Sequence, residues 1–190
     1  MKVLRPPLKD EDIQDLRVGD EVYIDGTLII MRDATHWRIF EEKVEPPIDL
    51  RGAAVLHSAP SYQVVDNKRK IITFGPTTSM RVEKYTPLLI EKYGVKAVIG
   101  KGGMGRNTTE AMKKFKAVYV IFPGGASAIA MSKLQDVEEV YWTDLYGEAL
   151  WKVRVKNFGP AIVAIDTLGN NLTLEVERKA IEKFKEKYGP

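Results

Sequence analysis

Residues 74–81 read Phe-Gly-Pro-Thr-Thr-Ser-Met-Arg. The apolar run Ile71-Ile72-Thr73-Phe74 before them reads as a buried strand, and Gly75-Pro76 ends it. Two threonines, a serine and an arginine then stand where a helical pattern opens, at about Arg81. Hydroxyls and a guanidinium at such a turn suit an anion. Arginine grips a carboxylate through two parallel N–H bonds, and helix starts favour negative charge. Three more loops follow apolar runs: Met31-Arg32-Asp33, Gly100–Asn107 and Pro123-Gly124-Gly125. Together these loops offer Arg32, Thr77, Thr78, Ser79, Arg81 and Lys101, with backbone amides in two glycine-rich turns. Two arginines and a lysine in one cleft would suit a di-acid.

Taken singly, each residue has a plainer role. Arg32 and Arg81 read as surface charges, and Thr77 and Thr78 as helix N-caps. His36, beside Trp37, reads as a packing or hydrogen-bonding residue. His57, before Ser58-Ala59-Pro60, reads as structural, and Trp142 and Trp151 as core.

The run Gly-Lys-Gly-Gly-Met-Gly, 100–105, satisfies a dinucleotide-binding fingerprint after a strand and before a helix. Three features oppose that reading. The motif lies mid-chain, Lys101 puts a bulky cation in the tight turn, and the next strand ends in Phe-Pro-Gly-Gly. No acidic residue for a ribose stands between Glu110 and Asp136.

These loops need elements to hold them. Residues 1–16 read as an extended arm. Glu21–Ile24 and Thr27–Met31 flank Asp25-Gly26, a strong β-hairpin signal. Helical periodicity covers 34–45 and stops at Pro46-Pro47. Ala53–His57, Tyr62–Val65 and Lys70–Phe74 read as strands, with a turn at Asp66-Asn67-Lys68. Arg81–Tyr93 is a helix with a kink or restart at Pro87. Strands are expected at Lys96–Ile99, Ala117–Phe122, Val137–Trp142, Ala149–Val155 and Ala161–Asp166, and another segment at Asn171–Leu174. Asn107-Thr-Thr-Glu110 fits a capping box opening a helix to Phe115. Ala126–Lys133 is a short helix, and 175–190 carries a charged C-terminal one. The fold class is α/β, with a mixed, partly parallel sheet that places functional loops at strand carboxyl ends.

At 190 residues the chain is expected to form a single domain, 1–190. With 44% hydrophobic and 29% charged residues, the composition is that of a globular protein. No apolar run approaches the ~20 residues that span a bilayer, so no membrane is expected. The N-terminus lacks an apolar signal core, and a cytoplasmic location is expected. The net charge of +3, with Lys and Glu interspersed, gives little case for nucleic acid. There is no cysteine, so this chain alone offers no Cys nucleophile and no thiolate ligand for metal or cluster. Two histidines, His36 and His57, are too few for a zinc site.

The ordered set of Arg32-Asp33-Ala34-x-His36, Phe74–Arg81, Gly100-Lys101-Gly102-Gly103 and Gly124-Gly125-Ala126 resembles the β subunit, or C-terminal domain, of class I fumarases and L-tartrate dehydratases. Gly147–Pro160 resembles that family's late strand pair, and the likeness runs from about residue 5 to 175. The resemblance implies a swivelling β/β/α domain. It implies a cysteine-containing α subunit as partner, in a heterodimer or higher heteromer. That subunit ligates a [4Fe–4S] cluster, whose open iron acts as a Lewis acid on the substrate. The reaction implied is the reversible dehydration of a 2-hydroxy diacid by a hydro-lyase. Arg32, Arg81 and Lys101 then match carboxylate-binding residues. Thr77 matches a proton-transfer residue, with Thr78 beside it, and Asp33, His36, Gly102 and Gly103 are supporting residues. The leading expectation is a fumarate hydratase β subunit, taking malate to fumarate, with L-tartrate dehydratase as the alternative. Met80, where fused fumarases commonly have Gly, leans toward the tartrate type. From another class, a non-catalytic anion- or nucleotide-binding module using 100–105 stays open.

Overall fold

The computed structural model describes residues 2–189. Its elements run β1 (Lys2–Leu4), α1 (Asp10–Ile13), β2 (Glu21–Met31), α2 (Asp33–Phe40), β3 (Ala54–His57), β4 (Ser61–Val65) and β5 (Lys68–Thr73). A 3₁₀ turn at Ser79–Val82 follows, then α3 (Thr86–Tyr93), β6 (Ala97–Gly100), α4 (Arg106–Phe115), β7 (Val118–Ile121), α5 (Ser127–Lys133) and β8 (Leu134–Tyr141). The chain ends with a 3₁₀ segment at Thr143–Glu148, β9 (Leu150–Ile165) and α6 (Leu172–Tyr188).

β2, β3, β6 and β7 lie side by side and parallel. Their register aligns Met31 with His57, Leu56 with Ile99, and Gly100 with Ile121. All four carboxyl ends therefore reach one rim. The long β9 pairs antiparallel with both β7 and β2, so these five strands form a ring of neighbours. β4 and β5 form a separate hairpin.

Alternation along the strands builds two cores. Leu28, Ile30, Ala54, Leu56, Ala97, Ile99, Val118 and Val120 face one side, with Trp151, Val153 and Phe158 from β9. Ile29, Met31, Val55, Val98 and Tyr119 face the other, under Leu89 and Ile90 of α3 and Ala111 and Met112 of α4. Strands buried on both faces read as unbroken apolar runs, which is why Ala-Ala-Val-Leu and Ala-Val-Tyr-Val-Ile-Phe were legible as strands. A fully buried Leu or Ile here contributes about 1.5–3 kcal/mol.

The N-terminal β-hairpin is not formed. Glu21–Met31 is one 11-residue strand. Gly26, at φ 111°, marks a bulge in its pairing with β9 and does not reverse the chain. The Asp25 carboxylate takes Lys156 Nζ at 2.7 Å and the Asn157 amide at 2.6 Å, and Asn157 itself has positive φ. The Asp-Gly pair thus serves a bulge facing an irregular stretch of β9.

Other boundaries shift for local reasons. The helix expected over 34–45 stops at Phe40. The helix expected over Arg81–Tyr93 is a 3₁₀ turn followed by α3, with Pro87 in its first turn, so the restart holds. The capping box at Asn107 is absent, because α4 already begins at Arg106 after Gly105. The two late strands fuse into the 16-residue β9, since Phe158 is buried and keeps the intervening segment on the sheet. Asn171, bridged to Ile165, is the N-cap of α6 and accepts the amides of Thr173 and Leu174. Trp151 is fully buried, while Trp142 is half-buried under Arg38. The predicted arm is packed, with Leu4, Leu8, Ile13 and Leu16 in the core and β1 paired to β2. Its first residue, and the last residue of the predicted C-terminal helix, lie outside the described residues. No helix among the described residues is long and apolar enough to cross a membrane.

Candidate active-site rim

Arg32 directly follows the end of β2, and Asp33 opens α2. Asp33 Oδ2 lies 3.2 Å from Arg32 Nε and 2.8 Å from Arg81 Nη2. Neither contact has hydrogen-bond alignment, since Arg32 Nε and Asp33 Oδ2 are both buried without a hydrogen-bond partner. The grouping is charge pairing: one carboxylate gathers two guanidiniums from distant loops. Arg81 keeps about half its side chain exposed (53%), leaving donors free at the surface.

The threonine turn lies across β3 and β6. Thr77 donates its amide and its hydroxyl to the His57 carbonyl, at 2.8 and 2.9 Å. Thr78 forms a bridge with Lys101; Lys101 N–H donates to Thr77 O and Ser79 N–H to Lys101 O, both at 3.2 Å. These bonds set Thr77, Thr78, Ser79 and Lys101 on one short ladder. Lys101 Nζ makes no ion pair among the described residues. Its stem crosses Gly124, where a Cβ would stand 3.3 Å from Lys101 Cδ. Ser58 Oγ donates to Gly75 O at 2.6 Å and pins the start of the turn.

The cap reading of the threonines does not hold. Thr78 occupies the N-cap position of the 3₁₀ turn, but its side chain makes no capping bond, and it is exposed. Thr77 spends its proton on β3 instead.

His36 lies buried under the rim. Its Nδ1 donates to Arg32 O at 2.7 Å, and its ring meets that of His57 edge-on at 5.5 Å and stacks on Tyr85. Burial holds the His36 imidazole down to about 4, against the opposing pull of the Arg32 carbonyl and the Asp33 charge. Burial, and the neighbouring His36, hold His57 well below its ordinary value. Both rings are neutral supports facing no solvent.

Sequence reasoning missed Glu83 and Glu148. Glu148 Oε2 accepts the Ala34 amide at 2.7 Å and its carbonyl accepts the Thr35 hydroxyl, so it closes the start of α2. Glu83 accepts the amides of Gly105 (2.8 Å) and Thr108 (3.1 Å) and the Thr108 hydroxyl (2.7 Å). It fills the N-terminus of α4, where a pyrophosphate would have to sit. Gly103 is free of a side chain for packing, since a Cβ there would stand 2.4 Å from Thr173. Gly102, at φ 71°, carries the turn itself. The glycine pattern thus serves packing, and the nucleotide reading loses its anion site.

The residues present do not fit an iron–sulfur cluster. The chain has no cysteine, and among the described residues no group of three or more His, Asp or Glu could hold a metal ion. A cavity of about 760 Å³ lies between β5 and β8 and is not lined by Arg32, Thr77, Arg81 or Lys101.

Comparison with known proteins identifies the family. A family profile described as Fumarase C-terminus matches residues 2–176. The chain is 48% identical to "L(+)-tartrate dehydratase subunit beta" of Escherichia coli (strain K12), over 96% of this chain and 91% of that protein. It is 35% identical to "Putative L(+)-tartrate dehydratase subunit beta" of Methanocaldococcus jannaschii, over 96% of each. It is 37% identical to "Putative fumarate hydratase class I" of Geobacillus stearothermophilus, over 95% of this chain but 35% of that longer protein. The chain belongs to the fumarase C-terminus family.

Proposed function

We propose that this chain, working as one unit, is the β half of a hydro-lyase that dehydrates a four-carbon 2-hydroxy diacid, with L-tartrate as the first candidate. The observation that carries the reading is the Asp33-gathered pair Arg32 and Arg81, standing on the same rim as the Thr77–Lys101 ladder. The 48% identity to a tartrate dehydratase β subunit supports the choice of L-tartrate. Malate, giving fumarate, is the second reading, favoured by the 37% identity to a fumarate hydratase relative. The ring of strands, with α3 and α4 packed over one face, is read as the swivelling β/β/α arrangement that the family resemblance implies.

Removing water from such an acid takes a proton from a carbon beside a carboxylate, and negative charge builds on that carboxylate. Arg81, Arg32 and Lys101 bind the two carboxylates and stabilise this charge where it grows. Asp33 keeps the guanidiniums together before substrate arrives. Thr77 offers lone pairs toward the substrate, because its own proton is held by the His57 carbonyl. It can relay a proton only by handing its own onward, and a carbonyl does not take it. The proton acceptor therefore comes from a partner. The [4Fe–4S] cluster, for which this chain has no ligands, belongs to the same cysteine-bearing α subunit, in a heterodimer or larger heteromer.

Co-expression tests this assignment. The expected result is a brown, oxygen-sensitive complex containing this chain, with the chain alone colourless. A cluster carried by this chain by itself would overturn it.

A further inference from the structure

Beneath the rim, a buried polar chain links the two turns that carry Thr77 and Lys101. Ser79 is fully buried, and its hydroxyl is 2.9 Å from His57 Nδ1. Tyr119, buried on β7, donates its hydroxyl to Gly102 O at 3.0 Å. The two hydroxyls meet over Gly100. A Cβ placed on Gly100 would stand 1.7 Å from Ser79 Oγ and 3.1 Å from Tyr119 Oη. Gly100 lacks a side chain because the Ser79 hydroxyl occupies that space. Burial pushes the Tyr119 phenol up, and the Ser79 hydroxyl beside it offsets part of that rise. Tyr119 is then a protonated donor at any working pH.

With the proton on His57 Nδ1, that nitrogen donates to Ser79 Oγ, and Tyr119 O–H donates to the Gly102 carbonyl; the Ser79 and Tyr119 hydroxyls lie side by side over Gly100. In this tautomer His57 Nε2 carries a lone pair, and it is the ring nitrogen found buried without a partner. The backbone of the same histidine accepts both donors of Thr77. One end of the chain thus fixes the threonine turn. The other fixes Gly102, the residue at positive φ that sets the path of the loop after Lys101.

We propose that His57, Ser79 and Tyr119 are positioning residues, a buried hydroxyl relay that sets the spacing between Thr77 and Lys101. Its meaning for catalysis rests on the hydro-lyase reading, but its structural content does not. None of the three touches the substrate. They act through the two turns, so their loss changes geometry at the rim and leaves the ring of strands intact.

The test is Tyr119→Phe, which removes one oxygen and keeps the buried ring, beside Ser79→Ala. Amide hydrogen exchange on the full chain reads the ladder through the Ser79 and Lys101 amides. The expected result in both variants is exchange roughly tenfold faster at these two amides, with Val55 and Val98 in β3 and β6 as protected as before. In the assembled complex, Tyr119→Phe should lower kcat for the hydroxy diacid roughly tenfold or more, with a smaller change in KM. Unchanged exchange at Ser79 and Lys101 in either variant overturns the relay. So does a uniform loss of protection through β3 and β6, which would make these residues ordinary core supports. If exchange changes as expected but the wild-type complex dehydrates no hydroxy diacid, the relay stands and the hydro-lyase reading falls.

Discussion

Thr77 gives both of its hydrogen-bond donors to a single acceptor, the carbonyl of His57, at 2.8 Å from the amide and 2.9 Å from the hydroxyl. The hydroxyl is therefore a fastener, and substitution tests whether it has a second role at the rim. Thr77→Val keeps the shape and removes the oxygen. Stability should fall by about 1 kcal/mol for one hydrogen bond. If Thr77 also moves a proton, kcat in the assembled complex should fall ~10²-fold or more with KM little changed. Thr77→Ser should keep most of both. Loss of stability with kcat intact would reduce Thr77 to the fastener.

Arg81→Lys tests the carboxylate clamp. A guanidinium can stay charge-paired with Asp33 while its N–H fork holds a substrate carboxylate, whereas an ammonium on a shorter reach cannot reproduce the fork. The expected cost in kcat/KM is on the order of 2–4 kcal/mol, with folding little affected. Arg178, on the surface of α6 and, among the described residues, paired only with Glu182, is the fitting comparison and should tolerate Lys. Arg38 is not neutral: it grips Asp144 through two nitrogens, at 2.6 and 2.9 Å, and lies over Trp142. Near-normal kcat/KM in Arg81→Lys for L-tartrate and malate alike would make Arg81 a surface charge.

Much of this rim was legible because strand ends are marked locally. Glycine and proline after apolar runs mark where β6 and β7 stop, and Lys101 of the candidate rim stands just beyond β6. What escaped notice depends on partners far along the chain. Glu148 closes α2 from 114 residues away, and no local pattern announces it. Asp25-Gly26 has the chemistry of a hairpin turn, but the facing bulge at Asn157 lies 132 residues on. The break expected between Val155 and Ala161 failed because burial of Phe158 outweighed a Gly-Pro signal. His57, read as merely structural, carries the threonine turn through its backbone, which no side-chain motif can show.

Acid stability follows from the two buried imidazoles. His36 is neutral in the fold down to about 4, whereas an unfolded histidine takes its proton near 6.5. Between those values the unfolded chain binds more protons, so stability falls as pH drops through that window and levels off below it. His57 is depressed too and adds to the slope. Urea midpoints measured from pH 7.5 to 4 should decline, and His36→Gln should flatten the decline. An unchanged slope in that variant would place the acid sensitivity elsewhere.

Glu83 should matter for stability through α4. Its carboxylate takes two amides and a hydroxyl at the start of that helix, so Glu83→Ala leaves three donors short of a partner. A loss on the order of 2 kcal/mol is expected from the urea midpoint. A shift within about 0.5 kcal/mol, the range of ordinary surface changes, would mean that water replaces the cap.

In the proposed enzyme this chain supplies the substrate-gripping half of a hydro-lyase and cannot act without a cluster-bearing partner. The most direct test is an anaerobic assay of this chain alone, and of the chain reconstituted with its cysteine-containing partner, on L-tartrate and malate. The expected result is dehydration of at least one of these acids by the reconstituted complex and none by the iron-free chain. Activity from the iron-free chain alone, or a cluster-loaded complex that dehydrates neither acid, would contradict it.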